Sequence, residues 1–238
     1  KQRIQNAGDF TFVFTGNLPE NVISLIEKYI GSIASDTNKK ENFVDNKLDP
    51  APGIAKKLLV REMNVPKASV YIRFVKQFPY NYKNVFTMHI LSELLSKKYL
   101  DLIREEEGGS YGVQVGADLS HSPTPLFSLE INFDCNPDKA DALVKIVYAE
   151  LARVQTENIP ANMLEDIKQS IIKNHQEQIK ENSYWLSVLT SYVRNDETPF
   201  DMELLKNTLS TITAKDLKEF TVNALKKSNS VQVLMKAK

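Results

Sequence analysis

Apolar residues recur along this chain with two different periods, and the switches between them predict its elements. Phe10-Thr-Phe-Val-Phe-Thr15 alternates large apolar with smaller residues, which predicts a half-buried strand. Gly16-Asn17-Leu18-Pro19 then turns into a helix that starts near Asn17 or Pro19 and stacks Val22, Leu25, Ile26 and Tyr29 on one stripe. Residues 34–53 are polar and end in Asp49-Pro-Ala-Pro-Gly53, so they read as a surface linker. Two strands are predicted next, near Lys57–Met63 and Ser69–Lys76, the second with Val70, Ile72 and Phe74 on one face.

The period then lengthens. Val85, Met88, Leu91, Leu95 and Leu102 predict a long helix over 82–106, stopped by Gly108-Gly109. Tyr111–Leu119 and Leu126–Phe133 read as an antiparallel pair joined through Ser122-Pro-Thr-Pro125. In the second of these Phe127, Leu129, Ile131 and Phe133 alternate with Ser128, Glu130 and Asn132. Asn136-Pro137 opens a helix striped by Ala140, Leu143, Val144, Val147, Leu151 and Val154. One longer helix is expected from about Pro160 past Trp185. Another starts at a Thr213/Asp216 capping box, and Ser230–Met235 closes as a strand. Strands grouped beside helices, without strict alternation, predict a single α+β domain over 1–238: a two-layer sandwich with a mixed or antiparallel sheet covered by helices.

Composition changes the picture mainly by exclusion. Thirty basic and 30 acidic residues cancel across 238 positions, which leaves no field to recruit nucleic acid. No apolar run reaches the length of a membrane span, so no membrane insertion is expected. A single cysteine, Cys135, excludes an internal disulfide and a cysteine cage; it reads as a structural thiol. Lys1–Gly8 carries no signal-peptide core and begins without methionine, as a cut inside a longer protein would.

The three histidines are the natural metal candidates, and each has a plainer reading. His89 has only Glu93 one turn away, His121 lies in a hairpin loop, and His175 shares a face with Leu164, Ile167 and Ile171. No HExxH or HxxEH arrangement occurs, so no metal site is expected. Tyr184-Trp185 falls in a helical stripe with Val188, Leu189 and Tyr192 and reads as packing.

The most specific segment is Leu102-Ile-Arg-Glu-Glu-Glu-Gly-Gly-Ser-Tyr-Gly-Val113. By spacing alone, Arg104 is a helix-end cation complementing the macrodipole, and Tyr111 shares strand parity with Val113 and Val115, which favours burial. The segment also resembles the arginine–tyrosine motif of the insulinase/pitrilysin zinc metallopeptidases. Phe10–Asn17 followed by Val22–Gly31 resembles that family's strand–glycine–helix opening. Asn182-Ser-Tyr-Trp-Leu186 is similar to a late-helix segment of its bacterial, periplasmic zinc-protease branch.

That resemblance implies a LuxS/processing-peptidase-like fold and a clamshell parent built from four similar α+β domains, of which this chain would be the last. It implies that zinc is bound by HxxEH in the N-terminal half of the same polypeptide, not here, and that this chain alone hydrolyses no peptide. It also implies a peptide substrate, with Arg104 and Tyr111 as substrate-binding groups and Tyr111 as a hydrogen-bond donor to the oxyanion. A periplasmic or secreted location follows from the branch alone. The competing implication is a non-enzymatic scaffold domain on the same fold, as in core subunits of the respiratory cytochrome complex.

Overall fold

A computed structural model describes residues 6–36, 38, 44, 50–107 and 112–238, with the side chains of 104–107 left out. The chain divides into two compact units, one formed by Lys1–Leu48 with Asn174–Phe200, the other by Asp49–Lys173 with Asp201–Lys238.

The second unit holds the sheet. Its strands are β1 (Ile54–Arg61), β2 (Ala68–Gln77), β3 (Val113–Ser120), β4 (Leu126–Cys135) and β5 (Asn229–Ala237), in the spatial order β1-β5-β2-β4-β3. All neighbours are antiparallel except β1 and β5, which run parallel with Ile54 opposite Ser230. The α+β expectation is therefore met by an open mixed sheet. The expected 111–119/126–133 hairpin is β3–β4, with Val115 opposite Ile131.

Alternation in β2 and β4 sends Ala68, Val70, Ile72, Phe74 and Phe127, Leu129, Ile131, Phe133 to one buried face. That face is covered by α2 (Tyr82–Glu107), α3 (Ala140–Thr156) and α7 (Ala214–Leu225). Ile90, Leu91, Leu95, Tyr99, Leu143, Val147 and Leu217 complete the core. Phe220 packs its ring 5.0 Å from Phe78 and 5.7 Å from Phe127, pinning α7 to the sheet. Lys76, at the end of β2, donates its ammonium to the carbonyls of Asn223 and Lys226 and so caps the negative end of α7. The expected capping box is present: Thr213 Oγ1 accepts from Asp216 N, while Asp216 accepts from Thr213 N.

The structure departs from the sequence reading at three places. The single helix past Trp185 is two, α4 (Ala161–Gln178) and α5 (Asn182–Asn195). Glu181 takes an extended backbone as N-cap of α5, and the Trp185 indole donates to the Ile179 carbonyl that helix continuation would use. A further helix, α6 (Met202–Thr211), begins where the Asp201 carboxylate accepts from Leu204 N, a cap the sequence reading passed over.

The third correction concerns the first unit. Phe10–Thr15 is not a strand, because no partner strand among the described residues offers it a ladder. The segment leads instead through Gly16 to α1 (Val22–Tyr29), one turn later than expected. The 34–53 linker falls largely outside the described residues.

Candidate functional site

The face of the sheet opposite the helices carries the other parity of each strand. Across the strands Tyr71 of β2 lies beside Val233 of β5 and Asn132 of β4, and Asn132 lies beside Gln114 of β3. One row over, Ser69 sits between Met235 and Asp134. These side chains line a cleft of about 530 Å³ that grades from apolar at Leu59, Val233 and Met235 to polar at Asn132 and Gln114.

Charge on this face is internally balanced. Lys67 Nζ lies 2.8 Å from Asp134, and with the Ser69 hydroxyl it holds the Asp134 carboxyl below the usual range. Arg73 Nε stands 3.1 Å from Glu130 Oε1, directly across the β2–β4 ladder. Tyr71 lies between these pairs. Burial pushes its phenol up, the Glu130 charge adds to that, and Arg73 opposes it. The group therefore stays a neutral donor. Sequence reading overlooked Tyr71, although its place between Val70 and Ile72 sends it to the opposite face from theirs.

The cleft reaches Gly112, the residue after Tyr111. Gly112 has φ +92°, a conformation that requires glycine, and β3 begins only at Val113. Strand alternation counted back from Val113 and Val115 thus stops at Gly112, and the parity argument for burying Tyr111 does not run through it. Tyr111 itself lies outside the described residues. Arg104 lies in the last turn of α2, and its side chain is outside them too.

The histidines stand apart. His89 stands on α2, where burial of the ring lowers its pKa against the opposing charges of Asp118 and Glu93. His121 packs its ring edge-on to Tyr80 at 4.7 Å. His175 is buried against Tyr184 and Phe200 in the first unit, and burial lowers its pKa. Among the described residues no group of three or more His, Cys, Asp or Glu could hold a metal ion. The donors among the described residues do not fit zinc. Nor is any described helix long and apolar enough to cross a membrane.

A sequence model of the family described as the peptidase M16 inactive domain matches residues 2–171. The chain belongs to this family. An M16 relative from Arabidopsis thaliana, a zinc protease PQQL-like protein, is 27% identical over 190 residues, covering 74% of this chain and 20% of the relative. The chloroplastic stromal processing peptidase of Pisum sativum is 23% identical over 56% of this chain and 10% of its own length. Among solved structures, the periplasmic protease PqqL from Escherichia coli superposes with a TM-score of 0.70 at 20% identity, over 94% of this chain and 25% of that one. An M16 inactive domain from Pseudomonas fluorescens gives 0.67 at 15% identity, over 92% and 52%. The M16 domain described here thus spans a quarter or less of PqqL and of both curated relatives.

Proposed function

We propose that this M16 inactive domain is the non-catalytic closing part of a zinc-dependent endopeptidase and that it supplies Arg104 and Tyr111 to the bound peptide. The observation that carries the reading is the α2–β3 junction. A long helix ends within a few residues of Arg104, and Gly112 turns the chain with a positive φ at the rim of an amphipathic cleft. A peptide needs both characters of that cleft, amide partners such as Asn132 and Gln114 and an apolar wall such as Val233 and Met235.

On this reading zinc, held in another part of the polypeptide, supplies the activated water. The guanidinium of Arg104 offers fixed donors to a substrate carbonyl and keeps its charge at any working pH. The hydroxyl of Tyr111 donates to the carbonyl oxygen as negative charge develops on it. Groups brought by a separate domain act only after closure, which couples turnover to exclusion of water.

The test is Tyr111→Phe in the full-length protein. Loss of one oxyanion donor lowers kcat by about 10²–10³-fold with a much smaller change in KM. Normal kcat in a folded variant would overturn the assignment and favour the scaffold role. The 238-residue chain alone hydrolyses no peptide.

A further inference from the structure

The first unit is short of a core. Among the described residues its only buried side chain is His175, and neither α1 nor α5 buries a residue. Large apolar side chains crowd its surface instead. Of the 22 that stand exposed among the described residues, nine lie in Lys1–Leu48 and six in Asn174–Phe200. On α5 they form one continuous stripe of Trp185, Leu186, Leu189, Tyr192 and Val193. A unit of this composition hides its apolar surface against something.

The Phe10–Thr15 segment indicates what that is. It repeats the alternation of β4, whose Phe127, Leu129, Ile131 and Phe133 are 0 to 4% exposed between two neighbouring strands. Phe10, Phe12 and Phe14 are 41 to 44% exposed. The opposite parity is already engaged, since the Thr15 hydroxyl donates to the Asn182 carbonyl at the start of α5. Phe10 is extended, with φ −89° and ψ 137°, yet residues 11–15 form no ladder among the described residues. A backbone with strand alternation and no ladder partner among the described residues is a strand without its sheet.

We propose that Phe10–Thr15 inserts as a strand at the open edge of a β-sheet carried by the rest of a longer polypeptide, its phenylalanines buried in that domain's core. The occupant is intramolecular rather than a second copy, because the Arabidopsis relative and PqqL are each about four times the length of this chain. The inference rests on the chain being part of such a polypeptide and is independent of Arg104 and Tyr111.

Hydrogen exchange read by mass spectrometry tests it on two proteins, the 238-residue chain and the product of the complete reading frame. Amides of residues 11–15 exchange with little protection in the short chain and are slowed by about 10³-fold or more in the long one. Phe12→Asp removes that protection in the long protein and leaves the amides of β4 unchanged. If the variant does not fold, the comparison of the two unmutated proteins still decides. Equal protection in both proteins would place the partner within this chain. Equal lack of it would mean the segment pairs with nothing. Protection in the short chain that rises with concentration, with dimers in light scattering, would assign the face to a second copy. Each of these three results overturns the proposal, whereas an inactive Tyr111→Phe enzyme leaves it untouched.

Discussion

The hydroxyl of Tyr99 donates to the carbonyl oxygen of Val147 at 3.0 Å, a hydrogen bond between α2 and α3 in the middle of the core. Tyr99 is fully buried, and burial drives its phenol far above the ordinary value, so it remains a donor at every accessible pH. Tyr99→Phe keeps the ring and lowers stability by about 1 kcal/mol. Tyr99→Ala also empties the ring's volume and loses about 3–5 kcal/mol. Urea unfolding checks both: the midpoint moves down in that order, and the Phe variant keeps the parent slope.

Asp216 gives the fold one source of acid sensitivity. The Lys83 ammonium at 2.6 Å and the Thr213 hydroxyl hold its carboxyl down to about 2, from an ordinary value of 3.8. A depressed carboxylate stabilises the fold above the unfolded-state pKa, and that stability is lost as pH falls through the folded-state value. Both side chains of the pair are partly solvated, so the contribution is about 1 kcal/mol. Asp216→Asn is therefore less stable than the parent at pH 7, and the gap closes between pH 4 and 2. Melting temperatures recorded across that range measure it.

Gly112 and Gly53 form a matched pair. Their φ values are +92° and +90°, and a Cβ added at either would meet nothing within 4 Å. Alanine at each is thus strained only in its backbone, by about 1–2 kcal/mol. Gly53 accepts from Ser230 N at the start of the β1–β5 ladder, far in sequence from Tyr111. In the full-length protein Gly112→Ala lowers kcat and Gly53→Ala does not, although both shift the melting temperature alike. Equal kcat in the two variants would detach the α2–β3 junction from turnover.

Legibility in the sequence followed locality. β2, β4, α2 and the Thr213/Asp216 box were readable because each is set by neighbours a few residues apart, through alternation, a helical stripe or a cap. The placement of β5 between β1 and β2 was not, since no local pattern encodes which distant strand lies alongside. The α4–α5 break was hidden because apolar residues continue through Ile179, and it shows only in three dimensions, in the extended backbone of Glu181 and the Trp185 indole contact. Phe10–Thr15 misled because alternation reports the propensity to pair and says nothing about the partner's presence. For the site, Tyr71 went unread although strand parity sets it opposite Val70 and Ile72, whereas the roles given to Arg104 and Tyr111 came from resemblance.

The parallel pairing of β1 with β5 also sets the order of assembly. Ile54 waits for Ser230, and every rung of β1 waits for one as distant. During synthesis β2, α2, β3, β4 and α3 can associate as they emerge, whereas β1 stays a solitary basic and aliphatic ribbon until nearly the whole of this sequence has been made. Its Lys56, Lys57 and Arg61 discourage unrelated strands from pairing with it in that interval.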